Sequence, residues 1–580
     1  MARTVGIGIQ SFEKLIENHY FYIDKTSFIK EWWENGDDVT LITRPRRFGK
    51  TLNMDMLERF FSVRYDGRGQ VFEGLSIWKD ERYRRLQGTY PVIFLSFADI
   101  KADNFTLARE LICRNIQDLY NQYDYLLADG ILKKWEMERF VRITSEPTDT
   151  LIAGALRDLA AYLYRCHGKR AIILLDEYDT PLQEAWVNGY WKEMAGFTRG
   201  LFNPSFKTNP YLERAVMTGI TRVGKESIFS DLNNLEVVTA TSEKYAECFG
   251  FTEDEVWEAL KECGLYENRQ DVKDWYDGFT FGGRRDIYNP WSIINYLDKK
   301  RLSAYWANTS SNRLIDKLIR EGSAEIKLDM EELLGGKTIS KDLDEQVVFD
   351  QLDEDENAIW ALLLASGYLK VEEFTFNEAT GDGVYRLALT DKEVYIMFRR
   401  LIKKWFSGPG TGYNEFIRAL LTGDIKAMNV YMNKVALATI SFFDSGKRPS
   451  KAAEPERFHS VEATTKGLIE PNPSVCFYHG FVLGLMVDLA ERYVITSNRE
   501  SGFGRYDVVL EPQSEKEDPV IFEFKVRNPE EEATLEDTAR EARAQIDRKQ
   551  YGAVLEAKGF PAERIRKYGF AFEGKQVLIQ

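Results

Sequence analysis

The sequence predicts an α/β protein of several domains, and three observations carry that prediction. Four short apolar runs, Val39–Thr43, Val92–Phe97, Ala171–Leu175 and Ala215–Gly219, alternate with helical patterns, the arrangement of a mainly parallel sheet. The stretch TRPRRFGKT links the first run to an amphipathic helix. Much later, RYDVVL and VIFEFKV set two acids and a lysine among residues of the kind that fill cores.

The 580 residues allow roughly three to five domains of about 100–200 residues each. The expected division is an α/β domain over 1–235, a helical lid over 236–335, a helical, winged-helix-like segment over 336–450 and a last α/β domain over 451–580. The lid contains the aromatic and glycine-rich WYDGFTFGGRRDIYNPWS, and the middle segment sets GYLKVEEFTF and GVYRLAL between helices. Pro449, Pro455, Pro471 and Pro473 mark a connection into the last domain. That domain opens with the helix FYHGFVLGLMVDLAERY and continues through strands at Tyr506–Leu510 and Val520–Phe524. It closes with a charged helix around Asp537–Leu555 and a final strand pair.

With 44% hydrophobic and 13% aromatic residues the chain can fill several cores, which excludes wholesale disorder. A net charge of −15 excludes a uniformly basic nucleic-acid coat but leaves room for one local groove. The cysteines are scattered without a C-x-x-C pair, and no histidine pairs with one at zinc-finger spacing. This reads as reduced thiols of a cytoplasmic protein without structural zinc. The longest apolar stretch, Phe481–Ala490, is broken by Asp488 and too short for a bilayer, so no membrane association is expected.

A phosphate-binding loop needs a strand, a tight turn whose N–H groups surround phosphates, and a helix N-terminus facing them. VTLIT, RPRRFG and a helix from Lys50 supply those parts, with Leu52, Met56, Leu57 and Phe60 on one apolar face. Lys50 suits the β- and γ-phosphates and the Thr51 hydroxyl suits Mg²⁺, with Arg47, Phe48, Gly49 and Leu52 completing the pocket. Arg44 stands where G-x-x-x-x-G-K-[ST] opens with glycine, so the motif alone leaves a basic strand-to-helix turn as the alternative. Arg44, Arg46 and Arg47 stay open between structural, phosphate-facing and domain-contact roles. AIILLDEYD then ends a buried run in Asp176, placed to hold the metal through its water shell, and Glu177, placed to activate an attacking water. A strand ending in solvated acids is the bland alternative for this second motif, but both motifs in this order favour a nucleotide site. Thr218 and the following Thr221-Arg222, at the end of the fourth run, stand where a γ-phosphate can be sensed. Arg222 reads equally as a surface arginine.

IQSFEKLIENHYFYIDKTSFIKEW, TRPRRFGKT, LLDEYDTPL, TGITRVGKESIFSDLNNL and WYDGFTFGGRRDIYNPWSI together resemble the AAA-ATPase-like domain family. The resemblance implies ATP as ligand and a P-loop NTPase-type parallel sheet with a helical lid, and it places Asp24-Lys25-Thr26 near the nucleotide. The family pattern itself carries RPRRFGKT, so Arg44 fits it.

In the last domain, Glu523 and Lys525 lie two apart on a strand and share a face, and a hairpin would bring Asp507 beside them. Two carboxylates with an ammonium suit Mg²⁺ or Mn²⁺ and phosphodiester hydrolysis. A surface hairpin with charges on its solvent face is the alternative, set against the apolar flanks VVL and VIF. FYHGFVLGLM, SNRESGFGRYDVVL, VIFEFKV, QIDRKQYG and KYGFAFEGKQVLI resemble the PD-(D/E)XK nuclease superfamily, which implies a restriction-endonuclease-like α/β nuclease core. Carried over, Asp507, Glu523 and Lys525 take the catalytic positions, Asp507 and Glu523 the metal. Gln545 and Tyr551, placed on the following helix, become auxiliary residues. Glu470 and Glu500 are further acid candidates, and His479 reads first as a core hydrogen-bonding residue. Arg505 leads the candidates for nucleic-acid contact, ahead of Arg499, Arg527, Arg543, Arg548 and Lys549, while FRRLIKKWF reads as structural before it reads as a duplex contact.

These readings converge on an ATPase fused to a metal-dependent nuclease, with ATP and Mg²⁺ or Mn²⁺ as cofactors and nucleic acid, DNA before RNA, as partner. A homo-oligomer remains open. By analogy with other ATPase–nuclease fusions the role is prokaryotic defence. The alternatives are a nucleotide-switched scaffold whose nuclease-like fold only binds, and an ATP-driven nucleic-acid translocase.

Overall fold

The computed structural model describes residues 3–128, 130–222, 232–307, 313–321, 323–343, 356–377, 382–406, 413–439, 486, 489, 492–497, 500–501, 504–505, 507–514, 516–528, 532–574 and 576–580. The chain forms two units, Met1–Ile315 with Thr338–Tyr395, and Asp316–Lys337 with Ile396–Gln580.

In the first unit, strands β1 (Val39–Thr43), β2 (Val92–Ser96), β3 (Ala171–Asp176), β4 (Leu212–Gly219) and β5 (Leu235–Val238) form one sheet in the order β2-β3-β4-β1-β5. Every neighbouring pair is parallel. β1 and β3 are buried along their whole length, as parallel strands covered on both faces require. The chain leaves β1 for the far edge, works back to β4, and then passes to the other side of β1 with β5. The strand order therefore reverses at β1, and ligands collect at the carboxyl edge beside such a point. Helix Lys50–Phe61 packs Met54, Met56, Leu57, Phe60 and Phe61 into a core shared with Trp32, Ile42 and Val216. The four apolar runs are the three central strands and the edge strand β2. β5 escapes a reading by apolar runs because it is short and carries Glu236.

The lid holds a small antiparallel sheet, β6 (Phe251–Thr252), β7 (Asp277–Phe281) and β8 (Arg284–Tyr288), in the order β6-β8-β7. Helices Glu253–Glu262, Arg269–Tyr276 and Pro290–Lys299 frame it. Thr252 closes a capping box on the first, and the Asn289 side chain caps the third. The chain continues through β9 (Ile339–Asp342), helix Glu356–Ala365, β10 (Leu369–Asn377) and β11 (Asp382–Leu389), with the strands in an antiparallel sheet in the order β10-β11-β9. Every residue from Ala358 to Leu364 is buried, so this helix serves as core and has no face to lay against a duplex.

The second unit is built on β12 (Tyr493–Ser497), β15 (Val508–Pro512), β16 (Val520–Val526), β17 (Arg566–Glu573) and β18 (Gln576–Ile579), in that spatial order, with β13 (Glu500–Ser501) and β14 (Gly504–Arg505) forming a separate short hairpin. β15 and β16 pair antiparallel, whereas β16 and β17 are parallel and joined through helix Leu535–Arg548. The charged helix expected around Asp537–Leu555 is two helices. It breaks after Arg548, where Gln550 takes φ 54°, and resumes at Ala553–Ala557. Helices Tyr413–Thr422 and Ile425–Thr439 cover the sheet, packing Phe416, Leu420, Met428 and Met432 against Phe522, Phe524 and Phe570. Asn429 and Asn433, one helical turn apart, hydrogen-bond both N–H and C=O of Ile579 and Val577 at 2.6–2.9 Å, which closes the sheet edge that β18 would otherwise leave open. The opening helix of the last domain, apart from Met486 and Leu489, and the connection 445–473 lie outside the described residues. No helix among the described residues is long and apolar enough to cross a membrane.

Candidate functional site

The first site forms at the carboxyl edge of the parallel sheet. Arg47 and Gly49 adopt φ 67° and 80°, which turns the chain sharply out of β1. Gly49 is the N-cap of helix Lys50–Phe61 and donates no side-chain cap, so the first N–H groups of that helix stay available to an anion. Lys50 is buried, and its Nζ donates to the carbonyls of Arg44 (2.9 Å) and Pro45 (3.0 Å). Asp176, at the end of β3, is fully buried. Its Oδ2 accepts from the Thr51 hydroxyl at 2.8 Å and its Oδ1 from the Thr218 hydroxyl at 2.5 Å. Burial raises its pKa, and the two hydroxyls partly offset this. Glu177 follows at φ 55°, with its carboxylate accepting from Thr180 Oγ1 at 3.2 Å. Lys50, Thr51, Asp176, Glu177 and Thr218 are thus brought to one edge, from the three adjacent strands β1, β3 and β4. Leu52 packs into the core behind the loop, and Arg222, half-buried, lies beyond the end of β4.

The three loop arginines separate cleanly. Arg44 is fully buried, and its guanidinium donates to the carbonyls of Thr43 (3.0 Å), Thr239 (2.5 Å) and Lys244 (3.4 Å) while lying 4.3 Å from the Phe281 ring. Burial lowers its pKa to about 10. It fastens the loop to the segment after β5 and to the lid. Arg47 is exposed and lies 4.5 Å over Trp291. Arg46 is half-buried, and its only described side-chain partner is Gln183 Oε1, at 3.5 Å. Its carbonyl accepts from Trp306 Nε1 at 2.9 Å and Asn289 Nδ2 at 3.4 Å. Phe48 is wedged edge-on between Phe279 and Phe281, at 4.7 and 5.4 Å. Gly367 has no side chain because a Cβ there would stand 2.6 Å from Pro45, so the turn before β10 rests directly on the loop. Within Asp24-Lys25-Thr26, Lys25 pairs with Glu255 at 2.7 Å, and the Asp24 carboxylate accepts from the N–H groups of Thr26 and Ser76.

The second site sits between β15 and β16. Val508 pairs with Phe522, which sets Asp507 opposite Glu523 as the expected hairpin required, although β15 begins just after Asp507. Asp507 Oδ2 accepts from the Phe524 N–H at 2.7 Å. Glu523 is buried; its Oε1 accepts from Gln545 Nε2, and its Oε2 has no partner among the described residues. Burial raises the pKa of both acids, and Asp507 pushes Glu523 up further against the pull of Lys525. Lys525 Nζ stands 3.6 Å from Glu541, which also binds Arg548. Gln545 reaches the site because β17 carries Gly569, where a Cβ would collide with Ala539 O at 2.3 Å, so helix Leu535–Arg548 lies close on the sheet. Tyr551 lies in the turn after that helix rather than on it, with its hydroxyl 3.4 Å from Gln545 Nε2.

A carboxylate pair, Glu523 buried and Asp507 half-buried, with one Glu523 oxygen lacking a partner among the described residues, fits a hard divalent cation as that partner. Asp507 and Glu523 are the donors the structure offers. Among the described residues there is no cluster of three or more such side chains. Glu470, His479 and Arg499 lie outside the described residues, as do the side chains of Glu500 and Arg505. Arg527 pairs with Glu573 at 2.9 Å and the exposed Arg548 with Glu541, and Arg543 and Lys549 are exposed. The sequence reading missed Asp179, which stands in the quoted LLDEYD stretch. It is buried, and its Oδ2 accepts from the Ile220 and Thr221 N–H groups, both at 2.9 Å, and from Gln183 Nε2 at 2.8 Å. It also missed Glu541, which is indistinguishable in sequence from a solvated helix acid.

Fold and sites together define a phosphate-loop nucleotide-binding sheet joined in one chain to a two-carboxylate nuclease core. Residues 6–229 match the family described as predicted AAA-ATPase, and residues 476–580 match the PD-(D/E)XK nuclease superfamily, so the chain carries a domain of each. It is also 28% identical over 324 residues to an uncharacterized protein in the vnfD 5' region of Azotobacter chroococcum mcd 1. That similarity covers 56% of this chain and 57% of the relative.

Proposed function

We propose that this chain binds and hydrolyses ATP and cleaves phosphodiester bonds in nucleic acid, DNA before RNA, with nucleotide state controlling cleavage. The observation that carries the nuclease half is the Asp507–Glu523 pair, half-buried and buried, mutually repelling and left with one oxygen that has no partner among the described residues. A divalent cation held by Asp507 and Glu523 supplies Lewis-acid polarisation of the phosphodiester and a more acidic water. Lys525 offsets charge on the scissile phosphate, Gln545 fixes the Glu523 carboxylate, and the Tyr551 hydroxyl fixes Gln545.

In the ATPase half, Lys50 exchanges the carbonyls of Arg44 and Pro45 for the β- and γ-phosphates, and the free N–H groups of its helix complete the cradle. Thr51 and Asp176 would hold Mg²⁺, which neutralises developing phosphate charge. Glu177 accepts the proton of the attacking water, and Thr218, already bonded to Asp176, reports the occupied state to β4, with Arg222 beyond it. Control of nucleolytic attack by a nucleotide switch suits prokaryotic defence.

The test is a cleavage panel of single- and double-stranded DNA and RNA, with Mg²⁺ or Mn²⁺ and with or without ATP. Wild type should cut at least one substrate in a metal-dependent way, and Glu523→Ala should not. Equal cutting by both proteins would sink the assignment.

A further inference from the structure

The loop arginines leave one charge unexplained. Arg44 loses its hydration and regains three carbonyls and an aromatic face. Arg46 is half-buried with no carboxylate at ion-pair distance among the described residues, and one long bond to Gln183 as its only described partner. A guanidinium has five N–H donors, and a half-buried one with a single long protein bond has donors left over for an anion.

The surroundings say which anion. Arg46 lines a cavity of about 50 Å³ whose polar wall is Gln183, Thr221 and Ser366 and whose remaining walls are largely apolar, Ile220 and Leu362 among them. At roughly 10–15 Å³ per water this holds about three to five water-sized groups, the scale of a phosphoryl group's oxygens and far below that of a purine. The cavity lies over adjacent strands, since Arg46 follows β1 and Thr221 follows β4, and Thr43 pairs with Gly219. Lys50, Thr51 and Asp176 stand at the same edge. Asp179 fixes the far wall by binding Ile220 N–H, Thr221 N–H and Gln183 together, so Gln183 is an oriented resting partner for Arg46.

We infer that Arg46 reads the terminal phosphate: with ATP bound its guanidinium donates to the γ-phosphate, and with ADP bound it rests on Gln183. The inference rests on the nucleotide reading of this loop and adds to it a residue that separates ATP from ADP. The loop backbone need not move, because the Arg46 carbonyl stays held by Trp306 and Asn289.

Calorimetric titration of the full chain with ATP, a non-hydrolysable ATP analogue, ADP and orthophosphate tests this. Arg46→Gln should weaken ATP and the analogue by about 10- to 100-fold, the loss expected for hydrogen bonds to a charged group, and leave ADP within about threefold. Gln183→Leu removes the resting partner and keeps the charge, so its ATP affinity should equal or exceed that of wild type. Parallel weakening of ATP and ADP in Arg46→Gln, or no change in either, overturns the inference. So does a loss of ATP binding in Gln183→Leu as large as that in Arg46→Gln. Failure of wild type to bind ATP or ADP overturns the nucleotide reading itself, an outcome distinct from equal affinities in wild type and Arg46→Gln.

Discussion

The two sites treat a buried acid in opposite ways. Asp176 has a hydroxyl on each carboxylate oxygen, and Lys50 beside it rests on two carbonyls, so both of these charged groups have partners as they stand. Glu523 has one oxygen bonded and one without a partner among the described residues, with Asp507 as a like-charged neighbour. A site with its own partners stays folded between turnovers and exchanges ligands at little cost, whereas one that lacks a partner relies on its ligand for stability.

Four changes break or sharpen that contrast, from the largest effect downward. Glu523→Gln should bring metal-dependent cleavage to background while ATP affinity stays within about twofold of wild type, since removal of one electrostatic catalytic group costs on the order of 10²–10³-fold or more. Phe416→Ala, beneath the nuclease sheet, should destabilise the second unit by about 3–5 kcal/mol in a denaturant titration, because Phe416 is fully buried against that core. Gln545→Ala should weaken metal binding by about 10- to 100-fold, read by titration with Mn²⁺, as loss of a residue that holds a ligand in place does. Asn429→Ala should cost about 1–3 kcal/mol by stranding the N–H and C=O of Ile579.

The contrast also has a pH signature. Both nuclease acids have raised pKa values in the folded protein. Without metal, the stability this pair contributes is present below the ordinary carboxylate range and is lost as pH climbs through the raised values. Stabilisation by Mn²⁺, measured by thermal unfolding, should therefore grow between about pH 5 and about pH 8. Stabilisation by ATP without metal should change less over that window.

Much of this was legible in the sequence because the chemistry is local. VTLIT, GKT and LLDE each announce a strand end or a helix start, and the E-x-K spacing fixes a shared face. What stayed hidden depends on pairing between distant segments. Nothing in the neighbourhood of Arg44 says that its partners are Thr239, Lys244 and Phe281. Tyr551 was placed on a helix because nothing in KQYG reveals that Gln550 adopts a positive φ. Helices Tyr413–Thr422 and Ile425–Thr439 read as part of a middle segment, yet their apolar faces complete the nuclease core, since amphipathicity shows that a face is buried and not what buries it.

The central claim is that one chain couples a nucleotide switch to a metal-dependent nuclease. Cleavage rates of wild type, Lys50→Ala and Glu523→Gln with Mn²⁺, each with and without ATP, test it most directly. The account predicts that ATP changes the wild-type rate, that Lys50→Ala cleaves at one rate regardless of ATP, and that Glu523→Gln does not cleave. A wild-type rate indifferent to ATP, or no cleavage in any nucleotide state, would contradict it.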